Sequence, residues 1–269
     1  MKYNLLIPVI VLAALITFPV SAEEHTVKRG ETALQIALDH NLTLEQLSQL
    51  NPDVDLEMML AGDKLIVPED GTSFEDFRNR RYSEMIRIDK PECTVLADSS
   101  AFCLFHAENL TNLPLFDIRF QSDVRGKNGH RGQAEGSTAL MQILPDESLP
   151  VGMSVAGSFD AIESAAVSVV NFSYSEMLTG SFRIPGDAFR QNVSILPDGI
   201  SAACTLEFPA GSASAYQRKR INILAAAYDG SGALAGIRSL YSDYYSRLDI
   251  TVYAVRGKIT NVRLFAEAY

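Results

Sequence analysis

Tryptophan is absent, and only four histidines and three cysteines occur among 269 residues. Without indole rings, an extended cleft that stacks sugar after sugar on broad aromatic faces is disfavoured. Basic residues are also scarce: 23 against 33 acidic ones, for a net charge of −10. Phosphate contacts need clustered Lys and Arg, so nucleic acid is not an expected partner, and neither is docking on anionic lipid. His25, His40, His106 and His130 form no HExxH and no pair at metal-ligand spacing, and no GxSxG turn occurs. No catalytic residue, metal or other cofactor is therefore expected. Cys103 with His106 is the one close thiol–imidazole pair, and a disulfide at Cys103 would disable it. Glu135, Asp146, Glu147, Asp160 and Glu163 supply acids, but acids are too common to signal glycoside cleavage without geometry. Tyr241, Tyr244 and Tyr245 cluster and read as strand or edge residues rather than a sugar-stacking platform.

Long apolar runs are equally few. One lies at the start: Lys2, then Leu5 to Val20, then Ser21-Ala22 before Glu23-Glu24. This is the layout of a secretory signal peptide over residues 1–22, cleaved after Ala22. The run is short for a bilayer span, and no other segment is apolar enough. No cysteine follows it to carry a lipid. The expectation is export, with no membrane association after cleavage. In an oxidising compartment Cys93 and Cys103 are placed to bridge the two strands of a hairpin, for about 2–3 kcal/mol in the chain-entropy model. Cys204 reads as a small buried apolar residue. Asn41, Asn109, Asn171 and Asn192 begin Asn-x-Ser/Thr sequons, which matter only in a host that glycosylates them.

Residues 25–68 read as strand, helix, helix, strand. His25 to Lys28 alternates; Gly30-Glu31-Thr32 turns; Thr32 caps a helix bearing Leu34, Ala37 and Leu38 at helical spacing. Thr43 caps a second, with Gln46 three residues on and an apolar stripe of Leu44, Leu47 and Leu50. Asn51-Pro52-Asp53 stops it, and Gly62-Asp63 turns into Lys64 to Val67. Residues 69–90, charged and irregular, read as a solvated linker. From about 91 onward, period-two stretches such as Phe116 to Phe120, Ala166 to Ser173 and Leu248 to Ala254 alternate with turns at Lys127-Asn128-Gly129 and Asp229 to Gly232. A weak internal repeat sets Ile118 to Gly132 against Ile221 to Gly236. Later strand pairs around Val151 to Tyr174 and Tyr245 to Phe265 continue it. The expected class is thus α+β and all-β multidomain: a small βααβ module followed by two β-sandwich domains, 91–182 and 183–269.

His25-Thr26-Val27-Lys28-Arg29-Gly30-Glu31-Thr32, Leu42 to Leu47, Leu50-Asn51-Pro52 and Gly62 to Pro68 together resemble the LysM family from end to end. Glu31 stands where that family usually has Asp, and the Asp53 to Glu57 loop is more charged than in many members. The resemblance implies binding to N-acetylglucosamine polymers, peptidoglycan or chitin. The groove it implies lies between Gly30, Glu31, Thr32 and Ala33 on one side and Pro52, Asp53, Val54 and Leu56 on the other. Singly, these residues also have plain structural readings: a turn at Gly30, a cap at Thr32, a helix stop at Asn51-Pro52. Such shallow sites bind weakly, on the order of 0.1–1 mM for one module.

Phe102 to Phe105 with Glu108 to Thr111, Leu115 to Ile118 and Leu149 to Met153 are similar to FxLYD-type immunoglobulin-like domains. Ala227 to Gly232 and Ile259 to Leu264 supply the same pattern in a second copy. That resemblance carries no catalytic residues and implies spacer or protein-interaction units, with a protein partner expected there. The resulting expectation is an exported, wall-associated, non-enzymatic glycan-binding protein. The rival is a cell-wall hydrolase with an unrecognised catalytic domain.

Overall fold

A computed structural model gives the fold, and residues 23–69, 72–174, 182–209, 220–243 and 246–268 are described. Residues 1–22, expected to be a signal peptide, and Tyr244 and Tyr245 lie outside them. Strands dominate, and among the described residues there are three helices, none long and apolar enough to cross a membrane.

In the N-terminal module β1 (Glu23–Thr26) pairs antiparallel with β2 (Lys64–Val67). Between them lie α1 (Ala33–Asp39) and α2 (Leu44–Leu50). Both short helices are fixed by their caps. Thr32 accepts from the Gln35 N–H, and Thr43 and Gln46 form a reciprocal capping box. The core joins Val27, Ile36, Ala37, Leu42, Leu47, Leu50, Leu65 and Val67. Leu34, Leu38 and Leu44, expected inside, are exposed. In α1 the residues at 33, 36 and 37 share the inward face, so Leu34 and Leu38 turn outward.

Residues 69–90 correct the linker expectation. Ser73 caps a three-turn helix, α3 (Phe74–Met85), which leads directly into β3 (Ile86–Ile88). Phe77 enters the core of the N-terminal module. Arg81 Nε donates to the Leu50 carbonyl at 2.8 Å, and the Tyr82 hydroxyl to that of Gln49 at 3.1 Å. The Tyr82 ring packs on Phe172, in the core of the following β region.

That region holds β4 (Glu92–Val95), β5 (Ala101–Asn109), β6 (Leu115–Gly126), β7 (Arg131–Ser137), β8 (Gln142–Ile143), β9 (Ser148–Val155) and β10 (Ile162–Tyr174). Strand β5 has β3 and β4 along one edge and β9 along the other, while a second sheet runs β10-β6-β7. The last third holds β11 (Phe182–Ile184), β12 (Arg190–Ile195), β13 (Ser201–Glu207), β14 (Arg220–Tyr228), β15 (Leu234–Asp243), β16 (Arg247–Tyr253) and β17 (Asn261–Ala268). Its sheets run β12-β13-β16 and β11-β17-β14-β15. The pairings β4-β5-β9 and β10-β6-β7 thus recur as β12-β13-β16 and β17-β14-β15, which is the internal repeat in topological form. One expectation is corrected: β9 and β10 do not pair with each other but belong to different sheets, as do β16 and β17. In each half, residues from both sheets feed a shared core: Phe105, Ile118, Phe120, Val151 and Val169 in the first, Cys204, Leu206, Ile223, Ile250 and Val262 in the second.

The halves also pack on each other. Strand β14 is buried on both faces: Ile221, Ile223, Ala225 and Ala227 face their own core. Leu224, Ala226 and Tyr228 meet the first half at Leu104, Phe102 and their neighbours. This explains why Ile221 to Ala227 is apolar almost throughout instead of alternating. The joint is close-packed, since a Cβ on Gly152 would lie 2.7 Å from Ile237 and 2.8 Å from Phe102. Polar side chains of the second half clasp the first: Arg183 binds the Gln142 carbonyl at 2.9 Å and Glu147 at 2.8 Å, and Asn222 donates to the Ala139 carbonyl.

Candidate functional site

Antiparallel pairing of β1 with β2 decides where the loops of the N-terminal module go. The ladder continues past β1, with the Val27 N–H donating to the Asp63 carbonyl and the Gly62 N–H to that of Val27, both at 2.8 Å. The β1–α1 loop and the α2–β2 loop therefore leave the sheet at the same end.

In the first loop Gly30 sits at φ +87°, a left-handed conformation that L side chains resist. A Cβ there would meet nothing within 4 Å, so backbone conformation, not crowding, requires glycine, and the space beside it is open. Glu31 is folded back on its own turn. Its Oε2 accepts from the Lys28 N–H at 2.7 Å and lies 3.0 Å from His25 Nε2. The Lys28 backbone hydrogen bond, then the His25 contact, holds its carboxyl below the usual range. His25 in turn meets His40 edge-on at 5.6 Å. Thr32 is exposed and spends its hydroxyl oxygen on the helix cap. Ala33 is buried in the core, so only its backbone faces the loop.

In the second loop Pro52 is half-buried and Asp53 exposed. Val54 and Leu56 are half-buried and pack back onto the module core. Asp55 accepts from the Glu57 N–H at 3.0 Å and Asp63 from the Leu60 N–H at 2.7 Å, so two of the loop's acids shape its turns. Sequence reading overlooked Met58 and Leu60, apolar side chains on this loop that are 75% and 71% exposed. Their signal was available: two large apolar residues in a loop with no helical or strand period to bury them.

The remaining candidates disperse. Cys93 and Cys103 are disulfide-bonded across β4 and β5, which takes the thiol from any Cys103–His106 pair. Cys204 is a buried free thiol that burial pushes above its ordinary pKa, as suits an apolar filler. Glu147 pairs with Arg183 and Glu163 with Arg125, while Asp160 accepts from the Asn128 and Ala161 N–H groups. Asn109 is fully buried, its amide donating to the Leu113 and Ile143 carbonyls, which makes it a turn organiser. The Tyr241 hydroxyl accepts from Arg220 at 3.1 Å.

A two-stranded sheet covered by two capped helices, with two loops open at one end, is the build of a small ligand-binding module. The LysM domain family model matches residues 25–68, and this segment is a LysM domain. LysM domains bind N-acetylglucosamine-type glycans such as peptidoglycan and chitin, and are typically extracellular or wall-associated. A search of the curated proteins finds no match to this chain.

Proposed function

We propose that the chain is an exported, non-catalytic protein that attaches to N-acetylglucosamine-containing wall polymer, peptidoglycan or chitin, through its single LysM domain. The LysM match at 25–68 carries this reading. The groove runs between Gly30, Glu31, Thr32 and Ala33 and the facing Pro52, Asp53, Val54 and Leu56. Glu31 and Thr32 hold the turn in shape, and backbone N–H and C=O groups of both loops bind the acetamido group. Met58 and Leu60 add apolar surface for its methyl and for sugar faces. Residues 1–22 act as the export signal. Residues 91–182 and 183–269 are two immunoglobulin-like β-sandwich domains of FxLYD type, acting as spacer and protein-interaction surface. The repeated strand pairings support that reading.

Co-sedimentation with insoluble peptidoglycan and with chitin tests this, comparing the full chain with a form lacking residues 23–70. Pelleting that depends on the deleted segment supports it. Pelleting that survives the deletion, or a clearing zone on a peptidoglycan gel, would replace it with a second binding site or with the hydrolase reading.

A further inference from the structure

A cavity of about 290 Å³ opens where β3 and β5 of the first half meet β14 and β17 of the second, lined by Arg87, Asp89, His106, Glu108, Tyr228 and Arg263. A chain of contacts organises it. Asp89 takes the His106 N–H at 2.7 Å through one oxygen and lies 2.8 Å from His106 Nδ1 through the other. Nδ1 thus carries its proton toward the carboxylate, and Nε2 lies 3.4 Å from the Tyr228 hydroxyl. The two rings lie nearly parallel, with centroids 6.0 Å apart. On Tyr228 rests the Arg263 guanidinium, 5.2 Å from the ring centroid.

Charge is unevenly matched around this space. Asp89 is engaged by His106, and Glu108 pairs with Arg87. Among the described residues Arg263 contacts no carboxylate; its partner is the tyrosine face. Arg263 is exposed and rests on the tyrosine face at the cavity, so its N–H edges, with no carboxylate partner among the described residues, are open to an anion. Asp89 and Glu108 line the same cavity and disfavour a dianion, and the volume suits a molecule the size of an acylated amino acid.

We propose that this cleft binds a small monocarboxylate, with Arg263 as its anchor and the Asp89–His106–Tyr228 chain as the positioning scaffold. The site is independent of the LysM groove. N-acetylalanine is the probe, with its amide and inorganic phosphate as controls, followed by backbone NMR shifts of the full chain. Saturable shifts at His106, Tyr228 and Arg263 are expected for the acid, and neither control should reproduce them. Arg263→Gln, an exposed substitution, should weaken binding by about tenfold or more while thermal unfolding stays in place. Glu108→Gln frees Arg87 and should tighten binding about threefold. No shifts with the acid, equal shifts with the amide or with phosphate, or undiminished binding in R263Q would overturn the proposal.

Discussion

Asn51 and Ile66 exchange two hydrogen bonds: the Asn51 amide donates to the Ile66 carbonyl at 2.9 Å, and the Ile66 N–H donates to Asn51 Oδ1 at 2.6 Å. One buried side chain thereby serves β2 as a third strand would, and also donates to the Leu47 carbonyl at the end of α2. Asn51→Ala leaves Ile66 without either partner in a partly buried setting, and the LysM domain should lose about 2–3 kcal/mol. Denaturant unfolding followed by NMR signals of residues 25–68 measures it; a loss well under about 1 kcal/mol would show that water replaces the side chain.

Gly236 lies against the backbone of β16. A Cβ there would sit 1.9 Å from the Tyr253 carbonyl oxygen, which no rotamer change relieves. Gly236→Ala should cost at least about 2 kcal/mol in the second half, because the backbone itself must move. Gly230→Ala, whose Cβ would find only an ordinary 3.7 Å contact with Thr260, is the control and should unfold like the parent.

Glu267 is fully buried at the joint between the halves, taking the Met141 N–H at 2.7 Å, with Arg183 and Glu147 as the nearby charges. Burial raises its pKa above the ordinary 4.5, against the pull of Met141 and Arg183. From the ordinary value up to the raised one, the folded chain keeps a proton that the unfolded chain has lost. This contribution is therefore fully present below pH 4.5 and lost as pH rises through the folded pKa. Glu267→Gln keeps the acceptor for Met141 and should flatten stability against pH in that window. Denaturant midpoints at several pH values would show it, and an unchanged slope would mean that the carboxylate is ionised when folded.

Met58 and Leu60 test the proposed glycan groove without touching the fold. Both side chains stand in solvent, so Met58→Ser with Leu60→Ser should leave unfolding within about 0.5 kcal/mol of the parent. Binding to chitin oligomers should weaken about three- to tenfold as apolar contact with sugar is lost. Unaltered affinity would move the contact surface to the loop backbone alone.

The LysM domain was legible because its signals are local: the caps at Thr32 and Thr43, the turns at Gly30 and Gly62, and the stop at Asn51 each act within a few residues. The hairpins at Gly129 and Gly232 and the Cys93–Cys103 bridge were legible for the same reason. Helix α3 was not. It buries Phe77 against one neighbour and Tyr82 against another, five positions apart, so no single apolar face marks it. The cleft at Arg263 was equally hidden, because Asp89, His106, Tyr228 and Arg263 meet only through packing of the two halves. Apolar spacing in α1 fitted two faces of the helix, and only tertiary packing in the module core, α2 included, chose between them.

Helix α3 changes what kind of attachment this molecule can make. A tether lets its cargo sample a sphere whose radius grows with linker length. A helix anchored by an aromatic ring at each side removes that freedom and works as a bracket. Under the attachment proposed above, a chain seated on a glycan strand would hold the domain that follows α3 at a set bearing to that strand.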